Sequence, residues 1–177
     1  MMKKLGIKWL IKIVLISVAA SVAFTLASTQ ILGHAGYIVA FTVLAVFIIL
    51  GIAFDMIGIA VAAASEAPFH SMAAHREHGA TESLRLIKSA DKVTSFCNDV
   101  VGDVSGIVSG ATAALIAARL MEGLRTDNLL IPLLMAGAVS GLTVGGKALG
   151  KTYAFNESTK IVLRVGKLIH VFRRRTK

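Results

Sequence analysis

Four acidic residues occur in or beside long apolar stretches of this sequence, where a carboxylate is costly and is therefore a candidate for function. They are Asp55, Glu66, Asp99 and Asp103. Asp99 and Asp103 are four residues apart, so on a helix they share one face, beside Asn98. Asp55 and Glu66 are eleven residues apart and nearly in phase on a helix, separated by about 16 Å along its axis.

Carboxylate and amide oxygens of this kind suit a hard cation such as Mg²⁺, which prefers a few carboxylates and retained waters to nitrogen or sulfur ligands. The alternative interpretation is structural, because the same acids could pair with Lys or Arg side chains or lie at span ends in the membrane interface. Both interpretations remain open at the level of sequence.

A second group of candidate ligands is polar and lies between the apolar stretches. His70, His75 and His78 occur at spacings of five and three residues, beside Glu77. Such a group could share a transition metal or respond to pH, or could simply lie at a membrane surface. No Ser-His-Asp or Cys-His arrangement indicates a nucleophile, so we predict that the chain is not an enzyme.

The elements that must position these residues are membrane helices. The 177 residues are 55% hydrophobic and have a mean hydropathy of +0.75, which is far above the range of soluble domains. Apolar runs at about 13–32, 36–64, 95–118 and 129–146 are long enough to cross a bilayer, and backbone groups in lipid must be satisfied internally. The sequence therefore predicts an all-α integral membrane protein with about four transmembrane helices and juxtamembrane amphipathic helices.

The formal charge of +9 is distributed in a way that indicates topology rather than nucleic-acid binding. The only Lys or Arg residues in connections 32–36 and 119–128 are Arg119 and Arg125. Most of the other basic residues cluster at the two ends of the chain and between the second and third spans. By the positive-inside rule, both termini and the segment 67–92 are cytoplasmic, and we expect a multi-pass protein of the cell (plasma) membrane. The clustered residues are Lys3, Lys4, Lys8, Lys12, Arg76, Arg85, Lys88, Lys92, Lys151, Lys160, Arg164, Lys167, Arg173, Arg174, Arg175 and Lys177.

Local signals predict how the helices begin and end. Pro68 should end or bend the second span, two short helices should meet around Gly79, and Thr81 is a candidate N-cap for 82–89. After a candidate N-cap at Asn156, apolar and basic residues alternate at helical spacing, which is typical of an amphipathic helix on anionic lipids of the inner leaflet. A solvated basic tail is the alternative.

Two sets of glycines recur every four residues in the third and fourth spans. Helix faces made of such small residues should pack closely against neighbouring helices. The sets are Gly102, Gly106 and Gly110, and Gly137, Gly141 and Gly145.

From about residue 60 to 175 the sequence resembles the membrane domain of the CNNM/CorC magnesium transporters. The stretch 63–69, Ala-Ala-Ser-Glu-Ala-Pro-Phe, is similar to the family's Ser-x-Ser-Glu-Thr-Ala, and 96–102, Phe-Cys-Asn-Asp-Val-Val-Gly, to its Ile-Gly-Asn-Asn-Leu-Val-Asn. The stretch 146–154, Gly-Lys-Ala-Leu-Gly-Lys-Thr-Tyr-Ala, parallels Gly-Glu-Ile-Ile-Pro-Lys-Thr-x-Ala. The order and spacing of these motifs carry the resemblance.

The resemblance implies a homodimer that binds Mg²⁺ among its helices through hydroxyl, amide and carboxylate oxygens. By that resemblance Ser65 and Asn98 correspond directly to family positions, and Glu66 matches a motif position. The sequence also departs from the family's motifs. In the stretch 146–154, Lys147 replaces the motif's Glu and Gly150 its Pro, and in 96–102, Gly102 replaces an Asn. The family's cytoplasmic CBS domains have no counterpart here. Asp99 and Asp103 could replace the lost charge, or the Lys147 ammonium could occupy the cation's place.

We therefore expect three segments. Residues 1–35 form a basic segment with an extra transmembrane helix, which also resembles a signal peptide; 36–155 form the CNNM/CorC-like domain; and 156–177 form the basic cytoplasmic helix. The leading hypothesis is a protein that binds or transports a divalent cation, Mg²⁺, through Ser65, Glu66, Asn98, Asp99 and Asp103. The alternative is a non-transporting membrane scaffold or regulatory subunit that recruits a separate cytoplasmic partner.

Overall fold

The chain folds into helices and the short connections between them, in a computed structural model that describes residues 7–34 and 36–175. No strand occurs within these ranges, which confirms the all-α prediction. The helices are α1 (Ile7–His34), α2 (Tyr37–Ala63), α3 (Glu66–Ala74), α4 (Ala80–Lys88), α5 (Ala90–Ser95), a π-helical segment (Phe96–Gly102), α6 (Asp103–Leu124), α7 (Leu130–Asn156) and α8 (Ser158–Arg175). Lys3, Lys4 and Lys177, which enter the charge argument, lie outside the described residues.

Four helical stretches are long and apolar enough to cross a membrane, as predicted. They are Trp9–Gln30 of α1, all of α2, the continuous run Ala90–Leu124 and all of α7. The third stretch begins about five residues earlier than expected and the fourth continues about ten residues further, to Asn156. The chain is thus a multi-pass helical membrane protein.

Three expected helix boundaries are wrong. The second span ends at Ala63, before Pro68, because the backbone of Ser65 is extended (φ −83°, ψ 143°). Pro68 falls instead in the first turn of α3, where its missing N–H is tolerated. Thr81 lies inside α4, whose N-cap is Gly79 at φ +86°, a conformation that favours glycine. Asn156 is the last residue of α7 rather than the cap of α8, which begins at Ser158.

The chain forms two compact units. Unit 1 takes in the described residues up to Ile52 together with Val100–Gly146, and unit 2 comprises Ala53–Asp99 and Lys147–Lys177. In unit 1, α1 packs on α6, and a buried cluster joins Leu44 and Ile48 of α2 to Ala113 and Ile116 of α6.

The glycine faces of unit 1 do not pack as expected within the chain. A Cβ built at Gly106, Gly110, Gly137, Gly141 or Gly145 meets no atom of the described residues within 4 Å. The first two line a cleft of about 480 Å³ between α6 and α7, together with Pro132, Ala136 and Ser140 of α7. Only Gly102, of the six, is buried.

Unit 2 is centred on a hydrophobic cluster where the ends of two spans meet the short helices. Val61 of α2, Phe69 of α3, Ala154 of α7 and Val162 of α8 are each fully buried in it. This cluster fixes α3 and α8 at the ends of α2 and α7, and it is the scaffold on which the polar residues of unit 2 are placed.

Candidate functional site

An ion pair lies on the membrane-spanning helices of unit 2. The Lys147 ammonium on α7 is 3.9 Å from Oδ1 of Asp55 on α2, and the side chains are only 29% and 17% exposed. A charge within a span is expensive unless it is paired or reaches water, so each residue lowers the cost of the other. The sequence marked both residues as unusual, but not as partners.

Asn98 lies in the same unit, on the π-helical segment. Gly58, one turn after Asp55 on α2, allows Asn98 to approach so closely that a Cβ on Gly58 would overlap Oδ1 of Asn98. Thr94 adds a hydrogen bond across the contact, its hydroxyl donating to the Gly58 carbonyl at 3.0 Å. π-Helical turns are rare in proteins. Where they occur they are often at functional sites, because the extra residue redirects the side chains that follow.

The side-chain carbonyl of Asn98 is buried and accepts no hydrogen bond from any described residue. A buried acceptor left without a partner costs about 1–3 kcal/mol, so such atoms are uncommon and call for an explanation. The oxygen therefore has an unused capacity to accept a hydrogen bond or to ligate a cation. It packs against Gly58, which follows Asp55 by one turn of α2, and we call Asn98, Asp55 and Lys147 the polar patch of unit 2.

The other residues predicted as cation ligands are Ser65, Glu66, Asp99 and Asp103. Ser65 is exposed and its hydroxyl makes no capping hydrogen bond, while Glu66, the first residue of α3, lies 3.4 Å from Nε2 of His70. Asp99 is exposed on the π-helical segment, and Asp103, which opens α6, belongs to unit 1. Among the described residues, no three His, Cys, Asp or Glu side chains converge on a point where they could hold a metal.

The three histidines predicted as a candidate metal site, His70, His75 and His78, do not form one metal-binding group among the described residues. His70 contacts Glu66, His75 is exposed at the end of α3, and His78 stacks on His170 of α8, with ring centroids 5.5 Å apart and an interplanar angle of 14°. Sequence reasoning missed His170, because it lies 92 residues from His78 and only the docking of α8 brings the two rings together.

The contact between α4 and α8 forms a polar network at the edge of unit 2. A buried hydroxyl on Ser83 donates to the carbonyls of Gly79, at 2.9 Å, and of Val162, at 3.1 Å. Gly79 and Gly166 approach so closely that a Cβ on Gly166 would lie 2.5 Å from the Gly79 carbonyl oxygen. An ion pair and a side-chain hydrogen bond flank this approach, with the Lys167 ammonium 3.1 Å from Glu77 and Nδ1 of His170 3.2 Å from Glu82.

Glu82 is the titratable group in this network that is most enclosed. Burial by itself would raise the pKa of this carboxyl, but the hydrogen bond with His170, the backbone hydrogen bond and the charges of His170 and Arg173 together hold it below its ordinary value. Glu82 is therefore held as a carboxylate where α4 meets α8.

Comparisons of the chain with protein-family models, with curated proteins and with solved structures give no match. The fold and the site define a class, a multi-pass helical membrane protein with a polar patch in its spans.

Proposed function

We propose that this chain is a membrane protein that binds and transports a divalent cation, Mg²⁺, at the polar patch of unit 2. The observation that carries the proposal is the buried Asn98 carbonyl, an oxygen ligand without a partner among the described residues, on a π-helical turn within a membrane span. A cation with retained waters satisfies such an oxygen and removes the cost of burying it.

The charge for the cation comes from carboxylates of the same unit. Asp99 follows Asn98 directly, and Asp55 lies one turn from Gly58, against which Asn98 packs. Ser65 and Glu66 join the site through the resemblance to the CNNM/CorC membrane domain, which also suggests a homodimer. The distribution of Lys and Arg suggests a cell-membrane protein with both termini cytoplasmic. Asp103 falls in unit 1, so the site proposed for unit 2 is built without it.

A second candidate function is favoured by the Lys147 contact. An ammonium 3.9 Å from Asp55 supplies a positive charge in the patch without a metal, as an internal counter-ion. A chain neutralised in this way keeps the fold but does not transport, and acts as a membrane scaffold or regulatory subunit for a separate cytoplasmic partner.

Thermal unfolding in detergent, with and without millimolar Mg²⁺, Ca²⁺ or Na⁺, separates the two functions. A ligand that binds only the folded state stabilises it by RT ln(1 + [L]/Kd), about 2.7 kcal/mol at a hundredfold excess over Kd. The natural chain should be stabilised selectively by Mg²⁺, and Asn98→Leu and Asp99→Asn should abolish the gain. Asp91→Asn is the matched control, because it removes an exposed carboxylate from the same continuous helical span.

Each result of these measurements favours one of the two functions or refutes it. Stabilisation by Mg²⁺ that appears only in Lys147→Glu would favour the scaffold, because the metal then binds only after the internal cation is removed. No stabilisation in either chain would refute the cation site. Uptake of Mg²⁺ by liposomes containing the lone natural chain, lost in Asp99→Asn, would exclude the scaffold.

A further inference from the structure

The two sides of α8 differ in what they contact. Val162, Gly166 and His170 recur every four residues and face the rest of unit 2, where Val162 and Gly166 are buried and His170 meets Glu82. The opposite side presents Lys160, Arg164, Leu168 and Val171, all exposed. The docked side contacts α4 and the core of unit 2. On the outward side Lys160 is 2.8 Å from Glu157, one turn before it, and still 68% exposed, so its ammonium remains accessible from outside.

The outward side combines apolar and basic groups on one stripe. Leu168 and Val171 are 61% and 55% exposed, and they follow Arg164 at i+4 and i+7. Over its length α8 has six Lys or Arg residues and no Asp or Glu. An exposed stripe of this composition is complementary to a surface that is negative at its outside and apolar just beneath.

The position of α8 places this stripe where such a surface exists. Ile161 and Val162 at the start of α8 share a buried cluster with Ala154 near the end of α7 and with Ala60 and Val61 near the end of α2. Because α2 and α7 are membrane-spanning helices, their ends lie where the chain leaves the hydrocarbon. A helix held at those ends is at the level of the lipid headgroups.

We propose that the outward side of α8 binds the surface of the bilayer, with Leu168 and Val171 inserted at the boundary of headgroups and acyl chains and with Lys160 and Arg164 on anionic phospholipid headgroups. Lysine and arginine stems reach outward from such a depth, so basic and apolar residues can share the stripe. Each basic side chain near an anionic leaflet contributes about 1 kcal/mol, or about fivefold in the equilibrium between bound and released helix. This inference is independent of the cation site.

The test uses the full chain in nanodiscs of phosphatidylcholine alone or of an equal mixture with phosphatidylserine. Trp9 is the only tryptophan, so Trp9→Phe gives a silent background in which Leu168→Trp introduces one indole on the outward side. We expect phospholipid brominated on its acyl chains to quench this indole, more strongly in the mixed nanodiscs, and aqueous acrylamide to reach it poorly. Val171→Trp repeats the measurement should Leu168→Trp disturb folding.

Charge-removed variants test the anionic component. Adding Lys160→Gln and Arg164→Gln should abolish the gain in quenching that phosphatidylserine produces. Arg85→Gln with Lys88→Gln is the matched control, because it removes two exposed cations from α4 and should leave that gain intact.

Three results would overturn the proposal. An indole that acrylamide reaches freely in both nanodiscs would show that the stripe faces water. Protection from acrylamide without quenching by brominated lipid would show that protein covers it. Quenching that is the same in both nanodiscs and unaffected by Lys160→Gln with Arg164→Gln would remove the role of anionic headgroups.

Discussion

Gly58 shows how one residue without a side chain decides what the polar patch contains. It lies where Asn98 packs on α2, and a Cβ there would overlap Oδ1 of Asn98 and lie 3.1 Å from Cβ of Cys97. The Cys97 contact comes from the rigid part of a side chain on a helix, so the helices themselves would have to shift.

Gly58→Ala should therefore destabilise the protein, by about 1–3 kcal/mol as for other overpacked interiors. Thermal unfolding in detergent measures the change. Gly106→Ala is the control, because Gly106 is outside the glycine face of α7 and a Cβ there meets no atom of the described residues within 4 Å. Alanine has the higher helix propensity, so the stability of this variant should be equal or slightly greater. Equal stabilities for Gly58→Ala and the natural chain would show that the close approach of Asn98 is absent.

The pair of Asp55 and Lys147 makes a prediction about coupling. Asp55→Asn or Lys147→Gln alone leaves one charge unpaired on a membrane-spanning helix, whereas the double variant leaves none. We expect the double variant to lose less stability than the sum of the two single losses, with a coupling energy of about 0.5–3 kcal/mol in a double-mutant cycle of unfolding free energies. Additive effects would mean that the two side chains do not interact.

At the scale of elements, α4 and α8 share the apolar cluster of unit 2 and also meet in a close backbone contact at Gly79 and Gly166. A Cβ on Gly166 would lie 2.5 Å from the Gly79 carbonyl oxygen and 3.1 Å from the Ser83 amide nitrogen, and backbone atoms cannot move aside singly. Gly166→Ala should detach α8 from α4, seen as faster amide hydrogen exchange in both helices. Gly145→Ala, at an open position on α7, should leave their exchange unchanged.

The contact between α4 and α8 should weaken in acid. The pKa of Glu82 is held below its ordinary value in the folded protein, so its contribution to stability is complete above that ordinary value and is lost as the pH falls through the lowered one. Amide exchange of α8, corrected for its intrinsic pH dependence, should rise as the pH falls below 4.5, the ordinary pKa of a glutamate. Glu82→Gln should flatten this rise, whereas Glu77→Gln, at an exposed pair, should change it little. An unchanged acid profile in Glu82→Gln would refute the role of this carboxylate.

At the scale of the whole molecule, the open glycine face of α7 leads to a prediction about assembly. If the proposed homodimer forms through this face, Gly141→Leu should dissociate it while leaving the fold of each chain intact, since no atom of residues 7–34 or 36–175 lies within 4 Å of a Cβ there. Mass determination by light scattering of the detergent-solubilised protein measures the change. Leu142→Phe is the control, an enlarged exposed side chain about a quarter turn away on the same helix. A natural chain that is already monomeric would exclude the dimer.

The sequence by itself determined the fold class and the order of the elements. Four apolar runs predicted four spanning helices, and polar composition with Gly79 predicted two short helices between the second and third, because length and hydropathy act locally and lipid leaves the backbone few alternatives. The acids and Asn98 were also recognisable, since polar groups in such runs are rare. Helix boundaries were less predictable, because caps such as Thr81 and Asn156 compete with neighbouring residues that the tertiary structure favours.

Only the tertiary structure decided which of these residues meet. Lys147 and Asp55 are 92 residues apart, as are His78 and His170, and nothing in local spacing selects either pair. The two glycine faces were predicted to be packed, but five of their six glycines are open toward the described residues and only Gly102 is buried. The close glycine contact is between Gly79 and Gly166, which belong to no repeat. Helical periodicity fixes which residues share a face, but the neighbour of that face depends on how all the helices pack together.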